Sequence, residues 1–470
     1  MKMKRMLRKI LPVFLACCGS LAGSGTAGAE PLRLSLAESV EMALASDQTI
    51  VSAEADAAAS AWQMRSARRA AGPTVSWGAQ AYSIGGRDYR EAPFDRTFNN
   101  SLSMEIPLYT GGQIEGAVER YRHQTNAAMF GIEGERQAVR FRTVEAYYNV
   151  LQRKNLVQVA ESAVRMVGEQ LRFLNIQFNE GTVARSDVIQ MQVQMAEYEQ
   201  SLIGARGDLA VAEATLCSVV GLPAGTEIEL ADTLTYEPYE PSLEECTDYG
   251  LRNRPDRAAA DARIMEAEAQ RATAMHGSRP RVVGVLTKNM VGSEAFRQDR
   301  NANWRAGLEV RWNIFDNQVT AANVSAAEKA VEKAAADANE TERIIRLDIR
   351  RAYTQMRTAE EKIHTAQTAI EQAQKNNVLA EVRYKEGIDV ILKVTDAQEK
   401  LVRARTNYYT ALYEYNLNRA GLARAMGVSV AMDVPRYIAA AERGRSPLHA
   451  MEDAALPSSH RDPAGDRGME

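Results

Sequence analysis

Trp304-Arg305-Ala306-Gly307-Leu308-Glu309-Val310-Arg311-Trp312-Asn313-Ile314 alternates without a break: the even positions are apolar or small, and the odd ones are Arg305, Gly307, Glu309, Arg311 and Asn313. Successive side chains of a strand point to opposite faces, so this stretch makes a ribbon with one apolar and one charged face. A half-buried soluble sheet would alternate in the same way. A length close to the roughly 9–11 residues that cross a bilayer, and a tryptophan at each end, favour a membrane strand. Leu102, Met104, Ile106 and Leu108 alternate with Ser101, Ser103 and Glu105, and Val75, Trp77, Ala79 and Ala81 precede them in the same rhythm. Residues 281–290 alternate less cleanly. The expected strands are 74–84, 98–109, 281–290 and 304–315, with the polar stretches 84–97 and 291–303 as exposed loops.

The start of the chain points to export. Lys2, Lys4, Arg5, Arg8 and Lys9 precede an apolar segment from Ile10 to Cys18, and Ala27-Gly28-Ala29 before Glu30 is a small-residue cleavage site, so residues 1–29 read as a signal peptide. A lipidated Cys17 or Cys18 stays open as an alternative, with Phe14 where bacterial lipoprotein signals usually carry leucine. No later stretch approaches 18 consecutive apolar residues, which excludes a transmembrane helix but is blind to strands. Export permits a disulfide between Cys217 and Cys246; two unpaired, buried thiols are the expected arrangement.

Between the strand pairs the chain is helical. No proline lies between Pro107 and Pro223, or between Pro280 and Pro435, and these gaps are rich in Ala, Glu, Gln, Arg and Leu. Val188, Met191, Met195, Tyr198, Leu202, Ala205, Leu209, Ala212 and Leu216 recur at spacings of 3 and 4, the seam of a coiled coil; Val394, Ala397, Leu401, Ala404, Tyr408, Ala411, Tyr415 and Leu422 repeat it. The two halves share more than a seam. Leu36 and Pro73 recur 207 positions later as Leu243 and Pro280, while Gly181, Leu216 and Gly221 recur 206 later as Gly387, Leu422 and Gly427. A first repeat is therefore expected over 30–238, with long helices at about 113–179 and 187–220. A second follows over 239–441, with helices at about 318–385 and 393–426, and residues 442–470 read as a flexible tail.

Four strands cannot close a membrane barrel, whose smallest form has about eight, so the chain must oligomerise. A net charge of −4 argues against nucleic acid as a partner. No phosphate loop, His-Glu-x-x-His, Cys-x-x-Cys or Gly-x-Ser-x-Gly occurs, and five scattered histidines form no local ligand cluster, so neither an enzyme nor a cofactor is expected. The competing reading is a structural or adaptor coiled coil of the cell envelope.

The duplicated order of motifs, with Ile106-Pro107-Leu108-Tyr109-Thr110-Gly111-Gly112 at the strand-to-helix junction and the turns Phe178-Asn179-Glu180-Gly181 and Tyr384-Lys385-Glu386-Gly387, resembles the TolC-like outer-membrane factor family over about Leu34 to Val428. The second junction, Asp316-Asn317-Gln318, lacks the double glycine. The resemblance implies a mainly α fold with transmembrane β: a homotrimer with a 12-stranded barrel in the outer membrane and a long periplasmic helical barrel. It implies the exit duct of a tripartite efflux pump or type I secretion system, with a periplasmic adaptor (membrane fusion) protein and an inner-membrane transporter as partners. Trp304, Leu308 and Trp312 would then face lipid, and Arg305, Glu309 and Arg311 the lumen. The helix-hairpin turns at Gly181 and Gly387 would flank a periplasmic entrance carrying Asp187, Asp389, Lys393 and Asp396. There the family's paired aspartates are represented by Lys393 and Asp396, so three Asp396 would be offset by three Lys393, and Asp389 stands where a tethering arginine can occur.

Overall fold

The computed structural model describes residues 32–83, 96–223, 225–292, 303–432 and 434–435. The leader with Cys17 and Cys18, most of the two inter-strand loops and the tail at 442–470 lie outside the described residues. Each half opens with a short helix and a longer one: α1 (Leu36–Ser46) and α2 (Gln48–Arg69), then α5 (Leu243–Asn253) and α6 (Pro255–Met275). The same device starts α1 and α5. Ser35 and Ser242 accept from the N–H of Glu38 and Glu245, whose carboxylates reach back to the serine N–H. Asp47 and Arg254 then end the short helix and begin the next. These second helices were not foreseen; their alanine-rich sequence carries little periodic signal. A parallel pair of three-residue strands, β1 (Leu32–Leu34) with β4 (Ile228–Leu230), ties the entry of the first half to its exit.

The proline-free gaps form α3 (Gln113–Asn179) and α7 (Val319–Lys385), 67 residues each and about 100 Å long. They return as α4 (Arg185–Val220) and α8 (Ile391–Ala425). Along the lower half the lateral order is α4, α3, α8, α7; above it, α2 packs on α3, and α6 lies between α3 and α7. The seams read from the sequence are the packed faces. Met191, Leu216, Val394, Tyr415 and Leu422 are fully buried, and the intervening seam positions are buried or half-buried. Cys217 and Cys246 are buried and unpaired.

Four antiparallel strands form the sheet in the order β2 (Thr74–Ser83), β3 (Arg96–Tyr109), β5 (Arg281–Gly292), β6 (Asn303–Arg311). The expectation that the last strand runs to 315 with a tryptophan at both ends is corrected. β6 stops at Arg311, and Trp312 turns away to donate its indole N–H to the carbonyl of Ser278 at 3.0 Å. The strand-to-helix junctions are alike despite their sequences. Gly111 and Gly112 have φ of 68° and 94°, and Asn317 and Gln318, 206 positions later, take φ of 51° and 68°. Asp316 holds the strained pair by accepting from the N–H of Gln318 and of Thr320.

Candidate functional site

Directly opposed residues of antiparallel strands share a face, so the register sorts the sheet. Trp77, Leu102, Lys288 and Trp304 form one row, Val75, Met104, Leu286 and Ala306 the next, and Ile106, Gly284 and Leu308 a third. These rows make a continuous apolar face with Lys288 as its charged member. The other face carries Ser76, Ser103, Thr287 and Arg305 in one row, Pro107, Val283 and Glu309 in another, and Arg281 opposite Arg311. Glu309 is ion-paired with Arg311. The uneven alternation of residues 281–290 has its cause here: Val283 and Val285 are apolar residues on the polar face, and Lys288 the converse. Trp304 and Leu308 are 74% and 70% exposed on the apolar side. Trp312 is exposed below the strand end rather than in it.

A register shift between Pro107 and Tyr109 leaves Leu108 as an extra residue. Tyr109 opposes Val282 on the apolar face, and Leu108 lies over Gly284, with its Cδ1 3.8 Å from where a β-carbon there would sit. Both side chains thus emerge on one face. Their counterparts 206 positions later, Ile314 and Phe315, are the most exposed large apolar side chains among the described residues, at 82% and 84%.

At the opposite end the hairpins turn on Gly181 and Gly387, whose φ of 74° and 73° suit glycine. Each turn is closed by backbone bonds back into its helix, Thr182 to Gln177 and Ile388 to Arg383. The acidic residues expected at the entrance are nearly all engaged locally. Arg383 Nε donates to Asp389 at 2.6 Å, and Lys400 Nζ to Asp396 at 2.7 Å. The bond from Lys400 holds the Asp396 carboxyl below the usual carboxylate range, with Lys393 and Arg403 adding at longer range. Asp187 accepts from Ser186 Oγ, and its charge, after burial, pushes the Tyr384 phenol up. Among the described residues no carboxylate comes within ion-pair reach of Lys393. Asp396 pairs instead with Lys400, one turn further along α8 at the i,i+4 spacing. Lys400 was open to detection from that spacing; Arg383, six positions from Asp389 across a turn, was not.

Among the described residues no cluster of three or more metal-binding side chains occurs, and no helix is long and apolar enough to cross a membrane. The chain matches the family model described as "Outer membrane efflux protein" over residues 39–222 and 249–428. It is 24% identical over 393 residues to the alkaline protease secretion protein AprF of Pseudomonas aeruginosa, covering 81% of this chain and 80% of that one. It is 23% identical over 436 residues to the outer membrane protein TolC of Escherichia coli, covering 90% and 87%. Among solved structures, the outer membrane protein VceC of Vibrio cholerae superposes with a TM-score of 0.71 at 18% identity, covering 83% of this chain and 96% of that one.

Proposed function

The chain belongs to the outer membrane efflux protein family, and from that premise we propose that it is the exit duct of a tripartite efflux pump or type I secretion system. It conducts cargo passively through the outer membrane from an inner-membrane transporter and a periplasmic adaptor. Its relatives are channels rather than enzymes, and the duct needs no chemistry of its own.

The observation that carries this reading is the matched edges of sheet and helices. The sheet ends on β2 and β6, and the helical layer ends on α2 and α4 at one side and α7 at the other, in the same order. One rotation can therefore close both layers head to tail. β2 and β6 run in opposite directions, so β6 of one copy can pair with β2 of the next as an antiparallel neighbour. The free helical edges carry Trp62, Ile203 and Val211 on one side and Leu347 and Val382 on the other, all exposed in the single chain. Three copies give twelve strands, above the minimum of about eight.

In that trimer Trp304 and Leu308 contact lipid, Lys288 extends its ammonium towards the headgroups, and Arg305, Glu309 and Arg311 line the lumen. Leu108, Tyr109, Ile314 and Phe315 make the periplasmic rim of the apolar band. The hairpin turns at Gly181 and Gly387 form the entrance, with Asp187, Asp389, Lys393 and Asp396 around it. The repeat boundaries at 30–238 and 239–441 follow from the same duplicated plan.

Sizing of the full chain in mild detergent, followed by planar-bilayer recording, tests the proposal. Trimers that conduct are expected; a stable, water-soluble monomer recovered from the periplasm would instead support an envelope coiled coil and end the barrel reading.

A further inference from the structure

Arg140, Val144 and Tyr148 follow one another at i,i+4 on α3, and Asn416, Ala420 and Arg424 do the same on α8, so each set lies on one face of its helix. The two faces meet around a cavity of about 360 Å3, bordered by Leu36 at the start of α1 and by Glu237 in the segment between the repeats. Arg140 stands 28 positions along the chain from Gly112, about 42 Å from the sheet-to-helix junction at 1.5 Å per residue. No lipid headgroup of a membrane spanned by the sheet reaches that far, so the cavity faces soluble molecules.

Three guanidiniums line this cavity, from Arg140, Arg419 and Arg424. Arg419 is ion-paired with Glu237 at 2.8 Å. Arg140 gives two of its five N–H donors to the carbonyls of Val428 and Ser429, and its charge is offset by Glu133, whose carboxylate is already taken up by the N–H groups of Val430, Ala431 and Met432. Arg424 meets no carboxylate among the described residues; its guanidinium lies over the Phe141 ring, 5.4 Å from the centroid. Three positive charges against two negative leave one uncompensated. Burial also pushes the Arg140 guanidinium below its usual range, a cost that an anion in the cavity offsets. The remaining walls are largely apolar, with Leu36, Phe141, Val144 and the Tyr148 ring. Inorganic phosphate has no apolar part to set against them, whereas a monoanion on an apolar body matches both the charge and the walls.

We propose that the cavity between α3 and α8 binds a carboxylate carried on an apolar body, the carboxylate held by Arg140 and Arg424 and the body lying against Leu36, Phe141 and Val144. A free organic acid and the terminal carboxylate of a peptide present the same chemistry to these residues. The site is built from the folded chain alone and is independent of what passes through the channel.

Titration calorimetry of the full-length detergent-solubilised protein, with detergent-only blanks, tests it using benzoate, benzamide, inorganic phosphate and the tripeptide glycyl-leucyl-leucine. Saturable binding of benzoate or the tripeptide is expected, with benzamide, which lacks the charge, and phosphate, which lacks the apolar body, at least about tenfold weaker than the better of them. A tripeptide that binds more tightly than benzoate assigns the site to a peptide terminus, and the reverse order assigns it to a free acid. Arg424→Gln should weaken binding about tenfold or more, while Arg424→Lys keeps the charge and should stay within about threefold of the parent. Should Arg424→Gln not fold, Ala420→Asp sets a carboxylate in the cavity wall and is expected to abolish binding. The proposal is overturned if neither carboxylate binds saturably, if benzamide or phosphate binds as well as they do, or if a folded Arg424→Gln or Ala420→Asp protein binds them as the parent does.

Discussion

Glu133→Gln should release the segment that follows α8. Glu133 is fully buried on α3, and its carboxylate accepts from the backbone N–H of Val430 at 2.7 Å, Met432 at 3.1 Å and Ala431 at 3.3 Å, as well as from Gln137 Nε2 at 3.2 Å. Arg140 holds the preceding residues by donating to the carbonyls of Val428 and Ser429, and Met432 and Val434 are buried in the core shared by α2, α3 and α6. Hydrogen bonds to a charged group contribute about 1.5–3 kcal/mol each, and glutamine keeps one acceptor oxygen while turning an NH2 towards backbone donors. The net loss should be about 3 kcal/mol for Glu133→Gln and about 4–5 kcal/mol for Glu133→Ala, which takes the acceptor from three N–H groups, that of Met432 buried and those of Val430 and Ala431 partly so. The assay is hydrogen exchange at Val430 to Met432 with thermal unfolding of the same sample; at about 1.4 kcal/mol per decade, roughly a hundredfold faster exchange is expected for the glutamine variant. Exchange and melting equal to the parent would refute the reasoning, because the carboxylate would then contribute nothing to holding the segment.

Leu308→Arg places a charge on the apolar face of β6 and costs about 2–4 kcal/mol per copy near the bilayer midplane; outer-membrane trimers at normal yield would show the face assignment to be wrong. Gln318→Gly should raise stability by about 0.5–1 kcal/mol in chemical unfolding, since it relieves a left-handed backbone, whereas Gly112→Ala should lower it because a β-carbon there would collide with the His276 imidazole. At the proposed entrance, Lys400→Ala frees Asp396, and both it and Lys393→Asp should increase cation selectivity in planar bilayers, with Asp396→Ala shifting it towards anions; unchanged reversal potentials in conducting trimers would remove these residues from the pore. Serine hydrogen bonds to Glu38 and Glu245 lower both carboxyl pKa values, so the caps stabilise above the ordinary carboxylate range and lose that contribution as pH falls through the lowered values; exchange protection in the first turns of α1 and α5, taken relative to the intrinsic rate at each pH, should fall together on acidification.

Sequence alone carried the long helices, their seams and the duplication, because these rest on local rules. Absence of proline permits a 67-residue helix, spacings of 3 and 4 name its buried face, and alternation in Trp304 to Arg311 names the faces of a strand. The second junction was harder to read, since Asn317 and Gln318 look unlike Gly111 and Gly112; the common left-handed geometry is imposed by the need to turn from sheet to helix at the same place and is stabilised by Asp316. Only the tertiary structure ended β6 at Arg311, where the indole of Trp312 finds a carbonyl on the connection after α6. It also brought Arg383 onto Asp389 across the hairpin turn. Residues that meet across a turn or from separate helices leave no period in the chain. Periodicity reports which face of an element is buried, while the identity of the group waiting on the other side is settled only when α3, α7 and α8 are brought together.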